Sequence, residues 1–83
     1  MKPDLCKAAR ALAGLTQRQL AEGAGVSTQT VADYERGARI PHPNNLRAIT
    51  AALERSGIEF LSERGVIVGV KKRPSDADPE RSA

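Results

Sequence analysis

At 83 residues the chain makes one small domain, too short to enclose a catalytic cleft beside a separate binding lobe. It carries 13 Lys and Arg against 10 Asp and Glu; three of the acids, Asp76, Asp78 and Glu80, crowd near the C-terminus beside Arg81 alone, so residues 1–73 hold twelve basic and seven acidic side chains, a surplus of five. That surplus attracts polyanions, nucleic acid before anionic membrane, although it is also common on inert surfaces, while a single cysteine (Cys6) and a single histidine (His42) exclude an intrachain disulfide or a Cys/His metal cluster.

The first predicted helix runs from about Pro3 to Ala13, with Pro3 in its first turn, Leu5, Ala9 and Leu12 on one face, and Gly14 as its stop. The second, about Gln17 to Ala24, opens on Thr16 and Gln19 in capping-box spacing, buries Leu20, Ala21 and Ala24, and ends at Gly25, where a left-handed residue closes the helix. Ser27 caps a third helix, about Thr28 to Arg36, which buries Val31 and Tyr34. After Gly37 a proline-punctuated loop, ARIPHPN, leads to a fourth helix from about Pro43 to Ser56, with Leu46, Ile49 and Leu53 inward and Gly57 as its end.

Beyond Gly57 the period changes. Ile58 and Phe60, then Val66, Val68 and Val70, alternate around turn residues 62–65, the pattern of a β-hairpin. A lone hairpin is marginal in water, so this one is expected either to pack on the helices or to pair with a second copy of itself. The last segment, PSDADPERSA, is polar and aperiodic and is expected to be disordered. The expected organisation is therefore a mainly α, four-helix body over residues 1–57, a hairpin extension over 58–73 and a tail over 74–83.

Two helix starts about eleven residues apart, with a glycine-marked turn between them, form a helix-turn-helix layout from Thr16 to Gly37. The stretch LAGLTQRQLAEGAGVSTQTVADYERGARIP goes further. Its L-T-Q-x-x-L-A segment (Leu15 to Ala21), the G-V-S that opens the third helix (Gly25 to Ser27) and the Y-E-R-G that closes it (Tyr34 to Gly37) resemble the lambda-repressor-like, Cro-type family, also called XRE, over about Ala8 to Leu53. The remainder, GIEFLSERGVIVGVKKR, is similar to the tail of a subgroup of small XRE regulators.

The resemblance implies a double-stranded DNA-binding regulator, a repressor acting as a homodimer on a palindromic operator, whose third helix enters the major groove N-terminus first. For base contact it points to the polar start of that helix. Gln29 suits adenine N6 and N7, Thr28 a base edge or thymine methyl, and Asp33 cytosine N4, unless phosphate repulsion turns Asp33 to solvent or to an arginine. Phosphate contacts are expected from Gln17, where the family carries a glutamine at the positive end of a helix dipole, and from Arg18, Ser27, Thr30, Arg36 and Arg39; each lone arginine could equally be solvated surface. The family also places an arginine of the first helix against a glutamate late in the third, which implies a structural ion pair between Arg10 and Glu35.

Nothing in the chain converges as acid, base, nucleophile or metal ligand, and no GxxxxGKS-type loop is present, so no enzyme and no cofactor are expected. Cys6 reads as a small helix residue and His42 as a cap or loop residue. With only two aromatics, Tyr34 and Phe60, single-strand binding by base stacking is disfavoured. No apolar run of about 20 residues or leader-like start appears, so no membrane association and a cytoplasmic location are expected. The alternative reading is a protein-interaction module, such as an antitoxin docking on its toxin or on an accessory factor. It would call for exposed aromatics or leucines on the face from Thr28 to Asp33, and that face has none.

Overall fold

Capping side chains open three of the four helices, and left-handed glycines close the first two. The computed structural model describes residues 1–74 and contains α1 (Pro3–Ala13), α2 (Gln17–Ala24), α3 (Thr28–Glu35), α4 (Pro43–Arg55), β1 (Ile58–Glu63) and β2 (Val66–Lys72). The expected disordered tail lies outside the described residues, apart from residue 74. Thr16 Oγ1 accepts from the Gln19 amide at 3.0 Å while Gln19 Oε1 accepts from the Thr16 amide at 2.9 Å, a complete capping box. Ser27 Oγ accepts from the Thr30 amide at 3.1 Å, and His42 Nδ1 accepts from the Asn44 amide at 3.1 Å, so the lone histidine is an N-cap.

Gly25 closes α2 at φ 70°, its N–H returning to carbonyls of the last turn, and this left-handed residue swings the chain through Val26 into the cap of α3. The two helices consequently meet at an angle. Arg55 ties the far end of α4 to α2 by donating to the Gly23 carbonyl at 2.8 Å, and the Tyr34 hydroxyl donates to the Met1 carbonyl at 2.6 Å, anchoring α3 to the N-terminus.

The core collects one stripe from each helix: Cys6 and Ala9, Leu20 and Ala21, Val31 and Tyr34, then Ile49, Ala52 and Leu53, closed by Ile58 of β1. Full burial of Leu20, Ile49, Leu53 and Ile58 is worth about 1.5–3 kcal/mol each against exposure, and the alanines let helix backbones approach closely. The inward face of α1 differs from the expected one. Cys6 is fully buried in place of a leucine, whereas Leu12 keeps 44% of its surface exposed. A small side chain fits where α1 crosses α3, and Leu12 lies at the periphery of the packed layer.

The hairpin belongs to the same core rather than standing beside it: β1 packs on α4 and β2 on α1. Its turn is tighter than the expected residues 62–65. Only Arg64 and Gly65 turn, at φ 53° and 79°, the double positive φ that a type I′ connection requires, and Glu63 pairs directly with Val66. The register then slips between Leu61↔Gly69 and Ser62↔Ile67, leaving Val68 as an extra residue in β2. This bulge breaks the period-two alternation of the valines, so Phe60 and Val70 pack on the core while Val66 and Val68 keep 56% and 53% of their surface exposed.

Gly23 inside α2 and Gly25 at its C-cap should respond oppositely to alanine. A Cβ at Gly25 would meet no atom within 4 Å, so Gly25→Ala should cost about 1 kcal/mol through conformation alone. At Gly23, inside the helix, a Cβ would sit 3.8 Å from that of Ala52, an ordinary contact, so Gly23→Ala should stabilise by about 0.5–1 kcal/mol in urea unfolding.

Candidate nucleic-acid interface

Only two residues of α3, Val31 and Tyr34, are spent on the core, which leaves the rest of an eight-residue helix for other work. Gln29, Asp33 and Arg36 follow at i, i+4 and i+7, forming an outward stripe opposite the core stripe. Ser27, Thr28 and Gln29 at its start are exposed, and Ser27 Oγ shares a hydrogen bond with Thr30 Oγ1 at 2.8 Å.

The stripe is knit together by one carboxylate oxygen. Asp33 Oδ1 accepts from Gln29 Nε2 at 2.7 Å and from Arg36 Nη2 and Nε at 2.8 and 3.2 Å. The hydrogen bonds from Arg36, then Gln29, hold the Asp33 carboxyl below its usual range, so it stays ionised at neutral pH. Two of the residues expected at bases and one expected at phosphate therefore meet one another in the free protein. Arg18 is likewise engaged, in an exposed i, i+4 pair with Glu22 at 3.1 Å that contributes little to stability.

Hollows flank α3. One is lined by Lys7, Gln17, Ala32, Glu35 and Arg36. The other takes in Ser27, Gln29, Thr30, Asp33 and Arg39, then continues through Ile40 and Pro41 to His42 and Asn45 at the start of α4. Lys7 and Asn45 extend the expected set of polar residues around the helix. Lys7 was legible only as one turn before Arg10, and Asn45 only as part of the polar start of α4.

Behind the interface, Glu35 anchors α3 to the two helices before it. Its side chain keeps 3% of its surface, and Arg10 clasps both carboxylate oxygens along one edge of its guanidinium, Nε to Oε2 at 2.8 Å and Nη2 to Oε1 at 3.0 Å. Arg10 Nη1 also donates to the Leu15 carbonyl at 2.9 Å, Gln17 Nε2 donates to Glu35 Oε1 at 3.1 Å, and the Cys6 thiol points to Oε2 at 3.6 Å. Burial pushes the Glu35 carboxyl upward, but the hydrogen bonds from Arg10 and Gln17 outweigh it and hold the group below its usual range. Burial, then the Glu35 charge, pushes the Cys6 thiol up to about 12, so it stays a protonated donor without nucleophilic character.

An outward helix with a polar first turn, set at a fixed angle behind a capped partner, is the helix-turn-helix geometry, and a family model of that description matches residues 7–60. The chain belongs to the XRE-type, lambda-repressor-like helix-turn-helix family. Comparison with curated proteins gives no matching relative. Membership makes this helix-turn-helix protein a DNA-binding regulator of XRE type. Among the described residues no helix is long and apolar enough to cross a membrane.

Removing Arg10 should expose the cost of its partner. Arg10→Ala leaves a nearly buried carboxylate unpaired and should destabilise by about 3 kcal/mol at pH 7. In the parent, the depressed carboxyl contributes stability that is present above the ordinary value of 4.5 and is lost as pH falls through the lower folded value. In the variant the unpaired carboxyl protonates more readily, so the gap between the two proteins should narrow in urea unfolding at pH 4.5. A variant within 0.5 kcal/mol of the parent at pH 7 would remove Glu35 from its anchoring role.

Proposed function

We propose that the chain is a transcriptional repressor that reads a palindromic operator in double-stranded DNA as a homodimer, with α3 in the major groove. The observation that carries this reading is the outward polar stripe of α3, free of exposed aromatics or leucines, on a helix whose family role is recognition. Thr28 and Gln29 lie at its leading end for base edges, with Asp33 one turn behind. Gln17 and Arg18 at the positive end of α2, Ser27 and Thr30 at the cap of α3, and Arg36 and Arg39 on its two flanks serve the phosphates. Gln17 Nε2 spends one N–H on Glu35 and keeps a second, so the buried anchor can orient the phosphate donor without consuming it. The protein would act in the cytoplasm on DNA it reaches there.

A dimer follows from energetics, because one module with a few base contacts rarely attains specific affinity alone, and two half-sites about one helical turn apart supply it. The outward valines of β2 support a hairpin contribution to that contact. Deleting the hairpin is no test of this, since Ile58 is 1% exposed in the core. Lysines at Val66 and Val68 touch only exposed positions, so the double variant should keep its helicity yet lose dimer in sedimentation by about tenfold in dissociation constant; unchanged association would relocate the contact.

Selection from random duplex DNA, followed by affinity measured at two salt concentrations, tests the main reading. A palindromic motif is expected for the parent. Gln29→Ala should lose that motif while keeping salt-dependent background binding to phosphates. Enrichment of no motif, with only weak salt-sensitive binding, would turn the reading toward a protein partner.

A further inference from the structure

Asp33 occupies an unusual place for an acid, in the middle of a stripe expected to face polyphosphate, where bare charge would weaken binding. Its position is explained by what it does to Gln29. The Gln29 amide has two N–H donors and one carbonyl acceptor, and one donor is committed to Asp33 Oδ1 at 2.7 Å. The reverse orientation would set the amide carbonyl against a carboxylate, so the amide keeps its nitrogen toward Asp33. Arg36 closes on the same oxygen from the next turn at 2.8 Å, which holds the carboxylate in place and offsets its charge.

What remains of Gln29 is one N–H and one C=O. The major-groove edge of adenine offers an acceptor at N7 and a donor at N6, the complement of that remainder. Guanine offers two acceptors, N7 and O6, and would need both amide hydrogens. We propose that Asp33 is a positioning residue that sets base choice through Gln29, making the Gln29 amide a one-donor, one-acceptor edge that takes adenine and refuses guanine. The proposal rests on the placement of α3 in the major groove and adds to it the base class read by one side chain and the residue that enforces it.

The test uses the full chain in three forms, the parent, Asp33→Ala and Asp33→Asn, each carried through random-duplex selection with affinities then measured for adenine and guanine at the position that Gln29→Ala identifies. The parent should prefer adenine by about tenfold or more, and Asp33→Ala, whose Gln29 amide is free to offer both hydrogens to guanine, should lower that preference by about threefold or more there while preferences elsewhere in the motif persist. Asp33→Asn keeps an acceptor oxygen for Gln29 and loses only charge, so it should retain the adenine preference while binding all sequences more tightly at low salt. An undiminished preference in Asp33→Ala, or loss of preference in Asp33→Asn equal to that in Asp33→Ala, overturns the proposal.

A second measurement needs no DNA. In the free parent, nuclear magnetic resonance should find one Gln29 side-chain amide proton shifted downfield from its usual position, and in Asp33→Ala that shift should vanish; identical Gln29 resonances in the two proteins overturn the contact. A parent that enriches no motif, with the Gln29 shift present, fails the groove reading itself and takes this proposal with it, whereas a motif without guanine rejection fails the proposal alone.

Discussion

A single buried carboxylate ties α3 to the two helices before it. Glu35 sits at the end of α3, nearly out of water, and a charge in that position is tolerable only because Arg10 from α1, Gln17 from α2 and the thiol of Cys6 all donate to it. Three helices therefore share one hydrogen-bonding centre. Apolar packing alone would leave α3 free to slide, since it contributes only Val31 and Tyr34 to the core. A bidentate guanidinium has a fixed plane and fixed donor directions, and it converts that loose docking into a defined orientation.

Around this anchor the work of α3 divides by direction. Its inward residues meet the core, its last residue, Glu35, is the anchor, and its outward stripe meets itself through Asp33. Self-satisfaction of the stripe keeps Gln29 and Arg36 from wandering through many rotamers before a partner arrives, which lowers the ordering cost of binding. The hairpin plays a quieter part. Ile58 plugs the end of the core, and strand pairing carries Phe60 and Val70 onto the helices, so a small domain gains buried area that four short helices could not supply.

Much of this architecture was legible because the chain is well punctuated. Thr16, Ser27, Gly14, Gly25, Pro43 and Gly57 bound the helices through local chemistry, so their limits could be placed to within a residue. The inward face of α1 was not, because Leu5, Ala9 and Leu12 fit a helical stripe as well as Cys6 and Ala9 do, and only the tertiary partner distinguishes them. The bulge at Val68 leaves no mark in the alternation Val66, Val68, Val70; Gly69 beside it is the one local sign. At the interface, residue types and exposure could be read from the motif. The Gln29–Asp33–Arg36 cluster was implicit in its spacing, but the bond from Gln17 to Glu35, eighteen residues apart, required the fold.

The separation of faces on α3 bears on how such proteins diversify. Thr28 and Gln29 stand exposed at its start, while Val31, Tyr34 and Glu35 face the body of the domain. Substitutions at the outer positions leave the packed side and its carboxylate anchor untouched, so descendants of a duplicated copy could acquire a new target without passing through an unfolded ancestor.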